Sequence, residues 1–90
     1  MNSKMSNQPK AEDLRNEMLR FLQDSHGLST TTFSSGHKLK DAGIDSFKII
    51  ELILFMENKF NIKFPEESYT AANLSSIDSI IKTALAVNPE

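Results

Sequence analysis

Among the residues that could do chemistry, Ser46 stands apart, because Asp45-Ser46-Phe47-Lys48-Ile49-Ile50 reads as the mouth of a helix. A serine there is first of all a capping or first-turn residue. A serine nucleophile needs a positioned base, and no histidine or lysine adjoins Ser46 in sequence, so any chemistry at its hydroxyl is expected to come from another enzyme. His26 and His37, the two histidines, fall in a long loop without companions at metal-ligand spacing, and both read as solvated loop side chains. Ser34-Ser35-Gly36-His37-Lys38 has neither the G-x-S-x-G elbow nor the G-x-x-x-x-G-K phosphate loop. It reads as flexible loop. Glu66-Glu67 could be imagined as an acid and a base, but carboxylates near the positive end of a helix already account for them. No catalytic residue and no metal site is expected.

The elements that would position Ser46 follow from periodicity. Residues 9–24 carry Leu14, Met18, Phe21 and Leu22 at helical spacing among charged residues, with Pro9 suited to a first turn. Residues 25–44 have no sustained period; they form a long loop with Gly27, Gly36 and Gly43, anchored by Leu28, Phe33, Leu39 and Ile44, with a short helical turn over residues 39–42. Gly43 turns the chain, Asp45 caps a helix beginning at Ser46, and Asn61 closes it. On a wheel of about 100° per residue, Ile49, Leu52, Ile53, Met56 and Phe60 form a core stripe. Phe47, Ile50 and Leu54 cluster on the far side within roughly 60° of one another, more apolar surface than folding requires. Glu51 and Glu57 border that second stripe and read equally as solvated helix-face charges or as its polar rim, while Lys48 and Lys59 flank the core stripe as solvated charges.

Ile62 and Phe64 follow in an extended connection. Pro65-Glu66-Glu67 starts a short helix to about Ala72, and Ser75-Ser76-Ile77-Asp78 reads as a capping box opening a last helix with Ile77, Ile80, Ile81, Ala84 and Leu85 as its stripe. No segment alternates like a strand. The expected fold is all-α: a four-helix bundle of three main helices and a short third one, with the long loop between helices 1 and 2. Residues 1–8 read as a disordered tail, 9–87 as the domain and 88–90 as a C-terminal tail.

The chain's 90 residues suffice for one small core. With no cysteine, disulfides, thiolate metal sites and cysteine nucleophiles are excluded. Every apolar segment is shorter than the roughly 18 residues that suggest a membrane span, and residues 1–10 are too polar for a signal peptide. A formal net charge of -2 with scattered lysines offers no basic patch for nucleic acid.

Asp45-Ser46-Phe47, then Glu51-Leu52, Glu57, Phe60, Ile62, Phe64-Pro65 and Glu67, resembles the acyl carrier protein family, including peptidyl and D-alanyl carrier domains. The family pattern is D-S-L/M, an E-L pair five and six residues past the serine, and an E-x-x-F-x-I-x-I-P-x-E continuation, and the resemblance spans residues 14–85. It implies that Ser46 carries a phosphopantetheine arm, attached from coenzyme A by a phosphopantetheinyl transferase, with Asp45 as the flanking cap. The arm's thiol would hold acyl or aminoacyl groups as thioesters, received from a loading ligase and passed to an acyltransferase or synthase. The second helix is the family's docking surface; the matching positions here are Phe47, Lys48, Ile50, Glu51, Leu54, Glu57 and Asn58. The family also shelters acyl chains between helices, which the core stripe would line.

The chain departs from the pattern at Phe47, where leucine or methionine is usual, at Lys48, where an acid is common, and at Asn58-Lys59, where fatty-acid carriers often continue with acid. Its near-neutral charge points away from ordinary fatty-acid enzymes and toward a specialised, free-standing carrier in secondary-metabolite, lipid or cell-envelope biosynthesis. Ala42-Gly43-Ile44 stands where many peptidyl carriers have a glycine pair, which favours acyl cargo. The expectation is a monomeric, cytoplasmic, non-enzymatic carrier; the competing reading is an unmodified interaction module on the same fold.

Overall fold

A computed structural model describes residues 9–28, 34 and 36–88. The expected tail over residues 1–8, the Phe33 anchor, Ser35 and the last two residues lie outside the described residues. Three helices form the fold: α1 (Ala11–His26), α2 (Ser46–Phe60) and α3 (Ile77–Val87), with single 3₁₀ turns at Leu39–Ala42 and Glu66–Ser68. Among the described residues there are no strands, only an isolated antiparallel bridge between Lys38 and Ser76. The architecture is the expected all-α bundle, its short third helix reduced to the 3₁₀ turn at Glu66–Ser68.

α1 starts two residues later than its periodicity suggested, so Pro9 precedes the N-cap Lys10 instead of entering the first turn. Leu14, Met18 and Leu22, one helical repeat apart, are fully buried. Gly27, at φ 69°, ends the helix in the left-handed region, where a side chain is strained. The chain then returns to the bundle through Leu39, whose N–H donates to Ser75 O at 2.8 Å, and Ile44, whose N–H donates to Leu39 O at 3.0 Å. Both side chains are buried, and these bonds fix the stretch before Ser46 against the segment before α3.

α2 buries Leu52, Ile53 and Met56, while Ile49 and Phe60 pack at the edge of the core, as the wheel predicted. Asn61 closes it at φ 56°. The extended stretch after it is tied down from both sides. Phe64 N–H donates to Glu57 Oε2 at 2.8 Å, and Asn88 pairs with Lys63 through N–H to Oδ1 at 2.9 Å and Nδ2 to carbonyl at 2.8 Å. Asn88, which the sequence reading assigned to a tail, thus braces the chain between α2 and the second 3₁₀ turn.

Two local expectations change. The short helix stops at Ser68 instead of reaching Ala72, because Asn73 Nδ2 and Thr70 N–H both donate to Ser68 O and Thr70 Oγ1 accepts from Asn73 N–H. These local side-chain bonds offer the backbone an alternative to helix. The capping box shifts by one residue: Ser76 is the N-cap and accepts from Ser79 N–H at 3.1 Å. Asp78 instead reaches Arg15 on α1 at 3.7 Å.

Candidate functional site

Gly43 at φ 83° turns the chain into Ile44, whose buried side chain anchors the approach to α2. Asp45 follows in extended conformation, and its Oδ1 accepts from Lys48 N–H at 3.0 Å while its carbonyl accepts from Ile49 N–H at 3.0 Å. That leaves Ser46 as the first helical residue, exposed, with its own N–H and that of Phe47 unbonded among the described residues. Two free donors and the positive end of the dipole therefore converge beside an accessible hydroxyl.

Ser46 also sits on the rim of a cleft of about 840 Å³. The α2 side contributes Ile44, Asp45, Ile49 and Ile50; the opposite side contributes Tyr69, Thr70, Ala71, Ala72, Leu74 and Ser75; Lys38 and Lys40 come from the first 3₁₀ turn and its cap. Of the core stripe only Ile49 reaches this space. Leu52, Ile53 and Met56 are sealed in the core, so they do not line the interhelical space as the sequence reading expected. Tyr69 holds its hydroxyl proton above the ordinary value of 10.0, first because burial disfavours the phenolate and second because the negative charge of Glu57 repels it. At neutral pH it is a hydrogen-bond donor.

The second stripe of α2 is partly as expected. Phe47 is 82% exposed and Leu54 54%, whereas Ile50 is half-buried in the cleft wall and does not belong wholly to the outer face. Glu51 and Asn58 are exposed beside the stripe, and Lys48 is partly so. Glu57 turns away from a simple rim position to accept from Phe64 N–H.

His26 corrects its sequence reading. It belongs to the last turn of α1, its ring edge-on to Phe21 and its Nε2 buried 3.5 Å from Glu51 Oε1, without a hydrogen bond among the described residues. The periodicity that ended the helix at residue 24 hid this, because the apolar spacing runs out there while the helix continues to the Gly27 cap. His37 Nδ1 accepts from Ser34 N–H at 3.2 Å. Among the described residues no group of three histidine or carboxylate side chains could hold a metal ion. Sequence reasoning also missed Lys38, Lys40 and Tyr69 as neighbours of Ser46; only the fold brings these distant positions to one cleft.

Comparison with known proteins follows the same lines. No protein-family model matches the chain. Over 44 residues it is 39% identical to the acyl carrier protein of Helicobacter pylori strain J99, covering 49% of this chain and 54% of that protein. It is 32% identical over 44 residues to the acyl carrier protein of Wolinella succinogenes, covering 49% and 55%. The chain thus matches about half the length of these curated relatives. In three dimensions it resembles the crystal structure of an acyl carrier protein from Thermotoga maritima, with a TM-score of 0.69 at 18% identity, covering 86% of this chain and 88% of the other. The class is therefore an all-α protein with an acyl-carrier-like fold. Sequence and fold are thus both similar to acyl carrier proteins.

Proposed function

We propose that this protein is a non-enzymatic carrier whose Ser46 hydroxyl bears a phosphopantetheine arm. The observation that carries this reading is an exposed serine at the first position of α2, on the rim of a cleft, with two unbonded backbone N–H groups beside it. The residues fit the group. An exposed Oγ is open to a transferase, the N–H groups of Ser46 and Phe47 suit a phosphodiester, and Asp45 has one carboxylate oxygen already committed to Lys48 N–H. Phosphopantetheine, when bound, supplies the thiol on which acyl or aminoacyl groups are held as thioesters.

The rest of the role falls to the chain's own residues. Asp45 fixes the first turn so that Ser46 is presented outward, and Ile49, Ile50 and Leu74 offer apolar surface next to it. Phe47 and Leu54, with Lys48, Ile50, Glu51, Glu57 and Asn58 around them, form the docking face for a phosphopantetheinyl transferase, a loading ligase and a downstream acyltransferase or synthase. An apolar patch this narrow suits partners that bind and release in turn. The folded unit spans residues 9–87 with Asn88 bracing it, and acts as a monomer in the cytoplasm; no helix among the described residues is long and apolar enough to cross a membrane. Lys48 and the near-neutral charge favour a specialised biosynthetic pathway.

Incubation with coenzyme A and a broad-specificity phosphopantetheinyl transferase is expected to add one phosphopantetheine mass to the intact protein. Ser46→Ala should stay folded, by circular dichroism, and gain nothing. An unmodified parent beside a modified control carrier overturns the proposal in favour of an interaction module built on the Phe47–Leu54 face.

A further inference from the structure

The cleft beside Ser46 has a positively charged wall that the carrier reading does not use. Lys38 and Lys40 both line it, and neither pairs with a carboxylate among the described residues, whose ion pairs are Arg15–Asp78, Arg20–Glu17, Lys59–Glu17 and the His26–Glu51 contact. Asp45 is the one carboxylate lining the cleft, and one of its oxygens is taken by Lys48 N–H. The wall is also held in place. Leu39 N–H donates to Ser75 O between the two lysines, and Lys38 itself bridges to Ser76. The backbone carrying both ammonium groups is therefore tied to the segment before α3 at the cleft, while their side chains remain exposed and able to turn inward.

We propose that Lys38 and Lys40 form an oxyanion-binding wall that holds the phosphodiester of an arm on Ser46, seating the root of the arm against Ile49, Ile50 and Leu74. This rests on the carrier reading above. A phosphodiester on Ser46 is an anion whose position is fixed at the rim of this cleft, whatever the cargo. Lysine meets phosphate as a mobile point charge, without the planar fork of arginine, so the contact positions the arm loosely and is sensitive to salt. The lysines are positioning residues, and the transfer of cargo does not pass through them.

The test uses the full chain in unmodified and phosphopantetheinylated forms, separated and verified by intact mass, for the parent, the Lys38→Gln/Lys40→Gln variant and the Lys38→Arg/Lys40→Arg variant. Modification is expected to raise the parent's Tm at low ionic strength by about 1–4 °C, in keeping with exposed charge pairs in a domain of this size. That increment should vanish in the glutamine variant and in salt of about 1 M, where the Debye length falls to about 3 Å, and return in the arginine variant. The unmodified forms should melt together. An equal increment in parent and glutamine variant overturns the proposal even though the carrier reading stands. A parent that cannot be modified at all overturns the carrier reading first, which the mass measurement shows separately.

Discussion

Glu57 joins two parts of the molecule that sequence spacing treats as unrelated. Its Oε2 accepts from Phe64 N–H at 2.8 Å, and its charge is the second cause, after burial, of the raised Tyr69 proton affinity. Glu57→Ala is expected to cost about 1–3 kcal/mol in urea denaturation, because a part-buried N–H loses its acceptor. The same substitution should lower the midpoint of the single tyrosine's ultraviolet titration toward 10 while burial keeps it higher. The sign for stability follows. The folded state holds the Tyr69 proton more tightly than the unfolded chain, so this group makes stability fall as pH rises past 10 and contributes no pH dependence well below it. A tyrosine midpoint unmoved by Glu57→Ala would remove Glu57 as a cause. The Asp45 cap that opens α2 at Ser46 was legible from adjacent residues alone. The Glu57–Phe64 bond and the burial of His26 were not, since each depends on how the chain folds back after a turn.

At the scale of the element, α2 carries most of what the sequence could say. Its hydrophobic spacing separated Leu52, Ile53 and Met56 from Phe47 and Leu54, and the burial follows that division. Ile53→Asp puts an unpaired carboxylate at a position with no exposure, and is expected to unfold the domain or lower its stability by several kcal/mol. Leu54→Asp, at a side chain 54% exposed, should change Tm by no more than a few degrees while slowing phosphopantetheinylation. Equal losses of Tm by calorimetry would mean that Leu54 supports the core. Ile50 shows the limit of the wheel: it is half-buried and lines a cleft together with Tyr69 and Leu74, residues far away in sequence. The α3 cap was ambiguous for a simpler reason. Ser75 and Ser76 are chemically equivalent cap candidates, and only the packing of Ile77 into the core decides that the helix begins after Ser76.

For the whole molecule, three stripes on three helices were enough to specify an all-α bundle, because each must bury its apolar face against the others. The path of residues 36–44 was not legible from periodicity, since hydrogen bonds from Leu39 to Ser75 and from Ile44 to Leu39 decide it, and these join positions whose pairing no local pattern signals. That path matters, for it brings Lys38 and Lys40 into the lining of the cleft that Ser46 borders. Ser46 thereby lies between the exposed Phe47 and Leu54 side chains and a cleft lined by two lysines. The most direct test of the central claim is top-down mass spectrometry of the protein purified from its own cells, with fragmentation to locate any added group. The account predicts a phosphopantetheine-sized addition on Ser46, bare or carrying an acyl group; a population in which Ser46 is uniformly unmodified would contradict it.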